Sequence, residues 1–252
     1  MPKRAWQGFI CGIHVIGDME NGHDAFNEVI GELASDFQQN PFHYGNEDIL
    51  VPELYHRLCH TLDNVNIDIE YRQDYGDKGY WRVNDILDRV EGTGQIPRVR
   101  PEVSFVDDGK RWEFHWTENG ETKRKHKKFD LAVFADDPPL IMQSKEEGPG
   151  NYMDTENHLS VLCEIKHSKN MSSQFYSESA GTRDVIALSR YPGEVDKRVY
   201  LFLDWWPEYK SGEERFGTHW QKLKENTHGR LDNPVDVLYV SRHGKVNEQK
   251  LS

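Results

Sequence analysis

A nearly continuous apolar run from Leu159 to Ile165 carries charged residues at its end, and this combination most constrains the fold. Such a run is typical of a central strand that is covered on both faces. Glu164 and Lys166 lie two residues apart, so in a strand both side chains point to one face while Ile165 points to the opposite, packed face. Charged groups there are costly without partners. The alternative is an edge strand whose polar side chains face water and form a cross-strand ion pair.

A second carboxylate stands at the start of another apolar strand, where Asp130 precedes residues 131–134. A divalent cation shared by Asp130 and Glu164 would supply the partner that Glu164 needs. Few hard oxygen ligands, with room left for waters, suit Mg²⁺, for which Mn²⁺ can substitute. The backbone carbonyl of Ile165 is a further candidate ligand. The metal would polarise a phosphate and lower the pKa of a bound water, and Lys166 would position that water or offset charge developing on the phosphate oxygens.

Helical and strand patterns alternate along the rest of the chain, which predicts an α/β fold with a mixed β-sheet flanked by helices. Helices are expected at about 24–38, 47–62, 83–90, 173–189 and 218–225. Strands are expected at about 8–16, 67–72, 129–134, 159–165, 199–203 and 235–240, with a hairpin over 103–116. The segment 136–157 is rich in acidic residues, Pro and Gly and is expected to be a long loop.

These features together resemble a known family. Asp130, a loop, Glu164-Ile165-Lys166, a helix and the strand at 199–203 are similar to the PD-(D/E)XK nuclease superfamily, which includes many restriction endonucleases, junction resolvases and repair nucleases. The resemblance covers about residues 47–204. It implies a restriction-endonuclease-like core with N- and C-terminal additions, within a single nuclease-like domain over 1–252. Phe129 stands where the motif name has proline, and the loop after Asp130 is longer than the family pattern suggests.

The function implied by the resemblance is a Mg²⁺-dependent endonuclease that hydrolyses phosphodiester bonds in DNA, with restriction or defence as a candidate role. Asp130 and Glu164 would be catalytic metal ligands and Lys166 the catalytic lysine. Many nucleases of this kind pair to cut both strands, which leaves a homodimer open.

Members of the superfamily often carry a further acidic residue on the first core helix, and two candidates stand here. Glu47 shares its helical face with the apolar stripe of the helix and is preferred as the additional catalytic residue. Glu53 shares a face with Arg57 and His60 and is expected to be solvated.

A run of basic residues at 123–128 leads into Asp130 and is expected to extend the strand that carries it. Its side chains could contact phosphates close to the metal and give salt-dependent affinity. Equally, lysines can guard a solvated edge strand against aggregation. The candidate nucleic-acid-binding residues are Lys123, Arg124, Lys125, Lys127, Lys128, Lys169 and Arg183, and Arg190 is a similar candidate.

The overall composition sets the alternatives. A net charge of −12 is unusual for a nucleic-acid binder, which commonly has a basic balance. It favours a second hypothesis, a nuclease-like domain with an inactive site that only binds nucleic acid or a partner protein.

The three cysteines include no C-x-x-C pair, which argues against a disulfide framework and the usual structural zinc site. No apolar run approaches the roughly 20 residues of a membrane helix and the N-terminus lacks a signal-peptide stretch, so a soluble cytoplasmic protein is expected.

Overall fold

The computed structural model of the chain describes residues 21–40, 47–63, 98–108, 110–118, 120–135, 141–142, 152–167, 181–204, 212–242 and 246–252. The strands expected at 8–16 and 67–72, the helix expected at 83–90 and Lys169 lie outside the described residues. For Glu47 the helix is described but the side chain is not.

Four helices occur in the described ranges: Gly22–Gln39 (α1), Glu47–Asp63 (α2), Gly181–Arg190 (α3) and Gly212–Thr227 (α4). The α1 helix begins after Asn21, whose side chain accepts a hydrogen bond from the His23 amide at 2.9 Å and so caps the first turn. Its apolar residues at helical spacing are buried, as the sequence predicts. The α2 helix also matches its prediction, with Pro52 inside it, in the second turn. None of the described helices is long and apolar enough to cross a membrane.

The described strands form one large sheet and one small one. They are Val99–Asp107 (β1), Lys110–Arg111 (β2), Glu113–Glu118 (β3), Glu121–His126 (β4), Lys128–Phe134 (β5), Ile141–Met142 (β6), Tyr152–Asp154 (β7), Leu159–His167 (β8), Val195–Asp204 (β9), Val235–Ser241 (β10) and Val246–Leu251 (β11). The main sheet has the order β11-β10-β9-β8-β5-β1-β7-β6, with β2 paired to β1, and β3 pairs with β4 alone. The β8–β9, β9–β10 and β1–β7 pairs are parallel and the β5–β8 and β1–β5 pairs are antiparallel, so the sheet is mixed.

Helices cover both faces of the main sheet. Alternate residues of β8 belong to different apolar cores, Cys163 to one and Leu162 to the other. The first core packs α1 and α2 against the sheet, and the second packs α3 and α4. The predicted α/β class with a mixed sheet flanked by helices is therefore confirmed. The edge-strand alternative, in which Glu164 and Lys166 face water, is wrong, because β8 lies between β5 and β9 and the two side chains are 1% and 14% exposed.

The strands β5 and β8 separate at one end of their pairing. The pairing runs up to Leu131 opposite Cys163 and stops there. Beyond this point β5 remains paired with β1, and β8 remains paired with β9 as far as His167. The two strands therefore form a fork, with Asp130 on one arm and Glu164 on the other.

Three parts of the chain differ from the sequence prediction. The basic run does not extend β5, because residues 121–126 pair back onto β3 as β4 through a turn at Gly120, whose φ of +78° favours glycine. The expected loop 136–157 contains the short strands β6 and β7, which join the main sheet beside β1. A further strand, β11, follows β10 and pairs with it in antiparallel fashion.

Two glycines of α1 offer a matched test of how this helix packs on the sheet. A Cβ at Gly22 would lie 2.8 Å from Cγ1 of Val133 and 3.0 Å from Cβ of Ser160, whereas a Cβ at Gly31 would meet nothing within 4 Å. We expect Gly22→Ala to lower the free energy of unfolding by about 1–3 kcal/mol through overpacking. Gly31→Ala should raise it by about 0.5–1 kcal/mol, since alanine is the better helix former. Urea unfolding measures both, and equal shifts in the two variants would contradict this packing.

Candidate active site

The charged residues singled out from the sequence meet in the fork. Asp130 lies on β5, while Glu164 and Lys166 lie on β8 and reach toward α3. Oδ2 of Asp130 accepts a hydrogen bond from the amide of Ile165 at 2.7 Å. Where the two backbones separate, the Asp130 side chain therefore accepts the hydrogen bond that a backbone carbonyl of β5 would otherwise accept.

Oxygen atoms surround the ammonium group of Lys166. Its Nζ lies 3.8 Å from Oδ2 of Asp130, 3.8 Å from Oε2 of Glu164 and 3.6 Å from Oδ2 of Asp184 on α3. It also donates a hydrogen bond to the carbonyl of Ile165 at 3.0 Å. The three candidate metal ligands, two carboxylates and this carbonyl, therefore face one cationic group.

A second lysine, Lys127, completes a ring of alternating charges. It stands between β4 and β5, and its Nζ forms an ion pair with Oε1 of Glu164 at 2.7 Å. The same Nζ donates a hydrogen bond to Oδ1 of Asp184 at 2.7 Å. Glu164, Lys127, Asp184 and Lys166 thus alternate in sign, and we call them the charged ring. With Asp130 beside it, three carboxylates face two ammonium groups, which leaves one net negative charge when all five are ionised.

Burial disfavours the charged forms of the ring residues, because the side chain of Glu164 is only 1% exposed and that of Lys127 is 16% exposed. Burial, and next the Asp130 carboxylate, raise the pKa of Glu164 well above its usual range, against the opposing effect of Lys127. For Lys127, burial alone would lower the pKa. The carboxylates of Glu164 and Asp184 outweigh it and raise the pKa above the ordinary lysine value. Lys127 therefore stays charged at neutral pH.

An aromatic cluster lies beside the ring. Nζ of Lys127 lies 5.5 Å from the centre of the Phe129 ring, within the range of a cation–π contact. Phe129 is fully buried, stacks on Trp112 with ring centres 5.7 Å apart and meets Tyr191 edge-on at 5.9 Å. The residue that departs from the proline of the motif therefore helps to fix Lys127.

The thiol of Cys163 lies on the opposite face of β8 from Glu164 and takes no part in the ring. It is fully buried, and burial, followed by the charge of Asp130, raises its pKa well above the usual value. A thiol held protonated in the core is a poor nucleophile. Cys59 is likewise free and fully buried.

The candidate nucleic-acid-binding residues occupy different environments. Arg124, Lys125 and Lys128 are exposed, and Lys123 is half-buried. Lys127, by contrast, is directed into the charged ring and not toward solvent. Their assignment to nucleic acid stays a prediction.

The arginines of α3 anchor the β3–β4 hairpin. The guanidinium of Arg183, another candidate nucleic-acid contact, lies 5.3 Å from the centre of the Trp116 ring. Nη1 of Arg190 donates a hydrogen bond to the carbonyl of His115 at 3.0 Å. The hairpin that carries the exposed basic residues is thereby attached to the same helix that supplies Asp184.

The acidic candidates on α2 differ from expectation in one respect. Glu53 was expected to be solvated, and this is wrong, because it is buried and its Oε1 accepts a hydrogen bond from Nε of Arg57 at 2.8 Å. Arg57 also forms ion pairs with Asp36 and Glu32 of α1, so this face of α2 packs toward α1 and not toward water. The side chain of Glu47, the preferred candidate, lies outside the described residues, and its role stays a prediction.

Sequence analysis does not identify Asp184 as a site residue. It lies in the first turn of α3, where acidic residues are favoured by the helix dipole and carry no special signal. Its contacts with Lys127 and Lys166 are tertiary and leave no spacing pattern in the chain. Lys127 is identified, but only as one member of the basic run.

The donor set suits a hard divalent cation. Asp130, Glu164 and the Ile165 carbonyl offer oxygen atoms that already face a cation, and the cluster carries one net negative charge when its five groups are ionised. Mg²⁺ is commonly bound by one or two carboxylates and retains several waters. Within the described ranges, no group of three or more His, Cys, Asp or Glu side chains is placed to hold an ion by itself.

Comparisons with known proteins leave the function to be argued from this geometry. No protein-family model matches the chain, and no curated protein matches its sequence. We therefore infer the function from the fork, the charged ring and the basic residues of the β3–β4 hairpin.

Proposed function

We propose that this protein is a Mg²⁺-dependent nuclease that hydrolyses phosphodiester bonds in DNA, with Mn²⁺ as a substitute metal and restriction or defence as a candidate role. One observation carries the proposal. Carboxylates from two adjacent strands, Asp130 and Glu164, converge to within 3.8 Å of Nζ of Lys166 at a fork in a central part of the sheet. Two such carboxylates can hold a metal ion that activates water, and a lysine beside them can stabilise charge on phosphate oxygens.

The order of the elements supports a restriction-endonuclease-like core over about residues 47–204. The α2 helix is followed by β1, β5 and β8, which pair in antiparallel fashion, and then by α3 and the parallel strand β9. The strand with Asp130, the strand with Glu164 and Lys166, the helix α3 and the strand β9 follow one another in the order on which the sequence resemblance is based. The β3–β4 hairpin and the short strands β6 and β7 are insertions in this order.

In the proposed mechanism, Asp130, Glu164 and the Ile165 carbonyl would hold the metal ion. When bound, Mg²⁺ would polarise the scissile phosphate and lower the pKa of a bound water. The ammonium of Lys166 lies 3.6–3.8 Å from its carboxylate neighbours and 3.0 Å from the Ile165 carbonyl, and from this position it would orient the attacking water or stabilise charge on a phosphate oxygen. The hydrogen bond from the Ile165 amide keeps the Asp130 carboxylate in place while Lys166 acts.

Basic residues on the β3–β4 hairpin and at the start of β5 support DNA as the substrate. The exposed residues Arg124, Lys125 and Lys128 stand shortly before Asp130 in the chain. Arg124 lies 3.6 Å from a carboxylate oxygen of Glu113, and Lys128 forms an ion pair with Glu102 at 2.8 Å. Contacts from such residues to phosphates provide affinity that falls steeply with salt.

A second candidate function is a nuclease-like domain that binds nucleic acid or a partner protein without cutting. The charged ring favours it, since Lys127 and Lys166 already neutralise Glu164 and Asp184. Metal binding separates the two candidates. An active enzyme must bind Mg²⁺ or Mn²⁺ through Asp130 and Glu164, whereas a binding module has no such requirement.

The direct test is incubation of the purified protein with plasmid and linear DNA in the presence of Mg²⁺, Mn²⁺ or a chelator. We expect cutting with either metal and none with the chelator, because the water nucleophile depends on the metal. Cutting of linear and circular DNA alike would show an endonuclease. Absence of cutting with both metals, in protein shown to be folded, would contradict the enzyme and favour the binding module.

A further inference from the structure

Lys127 occupies an unusual position for a lysine next to a nuclease motif. Its ammonium group lies 2.7 Å from Oε1 of Glu164 and 2.7 Å from Oδ1 of Asp184, and the two partner side chains are 1% and 16% exposed. It is therefore a buried cation that bridges two carboxylates. Its stem reaches this position past the face of Phe129.

The two oxygens of each carboxylate are divided between two cations. Glu164 directs Oε1 to Lys127 and Oε2 to Lys166, and Asp184 likewise directs Oδ1 to Lys127 and Oδ2 to Lys166. A pair of carboxylates shared by two adjacent cations is also how two-ion phosphodiesterases hold metals about 3.5–4 Å apart. In this chain one of the two cation positions is filled by a covalently attached ammonium group.

We propose that Lys127 is a fixed cation that takes the place of a second divalent metal ion, so that the site binds a single exchangeable ion. The inference rests on the metal site proposed above, and it adds the roles of Lys127 and Asp184. The exchangeable ion would bind between Asp130 and Glu164, on the side of the ring that Lys166 occupies. Asp184 then acts as a positioning residue, which holds Lys127 against Glu164.

Charge explains why removal of Lys127 should change the metal count. Without it, Oε1 of Glu164 and Oδ1 of Asp184 would lose the cation that each contacts at 2.7 Å. Three carboxylates would then face only Lys166, and the net negative charge of the cluster would rise from one to two. Alanine at this position also removes the lysine stem.

The test is the number of Mn²⁺ ions bound per chain, measured by equilibrium dialysis and by the electron paramagnetic resonance signal of free Mn²⁺. We expect about one ion in the full-length wild type and about two in Lys127→Ala, since the vacated position has the oxygen ligands that a divalent ion prefers. The matched control is Lys197→Ala. It removes another buried lysine paired with carboxylates, Glu248 at 2.8 Å and Asp236 at 3.9 Å, which lie outside the ring.

Each outcome decides between the proposals. Two ions in the wild type, or one ion in a folded Lys127→Ala variant, would overturn the fixed-cation role and leave the metal site itself intact. An additional ion in Lys197→Ala as well would show that any exposed carboxylate pair gains metal, and this too would overturn the inference. No Mn²⁺ bound by the wild type would remove both this inference and the enzyme proposed above. If Lys127→Ala does not fold, the wild-type count still decides, because the inference requires one ion.

Discussion

Replacing Lys166 by alanine is expected to lower the rate of metal-dependent DNA cleavage by roughly 10²–10³-fold, the usual effect of removing one preorganised group that stabilises transition-state charge. Nζ of Lys166 is held among Asp130, Glu164 and Asp184 at 3.6–3.8 Å, so it is close to where the phosphate would be bound. These long contacts contribute less to stability than the 2.7 Å contacts of Lys127. The variant should therefore keep its fold, as measured by circular dichroism, while plasmid cleavage with Mg²⁺ is lost.

The control for this variant is Lys250→Ala. Lys250 is an exposed lysine on β11, at the opposite edge of the main sheet from the β1–β7–β6 side, and its removal should leave cleavage unchanged. Asp130→Ala should lose cleavage together with Lys166→Ala, since it removes a metal ligand. Cleavage at the wild-type rate in either Asp130→Ala or Lys166→Ala would show that the fork is not the active site.

Replacing Lys127 by methionine is expected to lower the free energy of unfolding by about 3 kcal/mol in the presence of chelator. Methionine keeps the volume of the stem against Phe129 but removes the charge, and breaking one side of a buried ion pair commonly costs this amount. Glu164, 1% exposed, would lose its nearest cation. Guanidinium unfolding measures the loss as a lower midpoint with an unchanged slope.

Two companion measurements separate charge from packing in this variant. Adding Glu164→Gln to Lys127→Met should recover part of the loss, because a neutral amide replaces the unpaired carboxylate. The loss should also shrink as the pH is lowered. Burial raises the folded-state pKa of Glu164 above its unfolded value, so protonation stabilises the folded variant at low pH and this stability is lost as the pH rises. A loss that is the same at every pH, with no recovery in the double variant, would contradict an electrostatic role for Lys127.

Much of the fold could be predicted from local patterns. The helical spacing of apolar residues predicts α1 and α2, because each helix buries one face. The continuous apolar run predicts β8, because this strand is buried on both faces. The same run predicts that Asp130 lies close to Glu164 and Lys166, since charged groups in a central strand need partners. Local pattern is sufficient where periodicity and burial agree.

The remaining parts depend on contacts between distant segments. The strand β7 is three residues long and exists through its pairing with β1, which no local pattern in 152–154 indicates. Glu53 is buried on a polar face of α2, where its partner Arg57 also bridges to α1. Asp184 and Lys127 are brought to Glu164 by the packing of α3 and by the end of the β3–β4 hairpin. Polar residues buried by tertiary contacts are indistinguishable in sequence from solvated ones.

At the fork, the exchange of one backbone amide proton, that of Ile165, depends on a side chain. Amide exchange in a central strand is ordinarily limited by cooperative opening of the sheet. The Ile165 amide instead donates to the Asp130 carboxylate, so its protection depends on the position of one side chain. An ion that binds the other oxygen of Asp130 would leave this proton protected, whereas an ion that turns the carboxylate would release it to solvent. Hydrogen–deuterium exchange at this single amide would thus record how Asp130 is engaged, independently of whether the sheet opens.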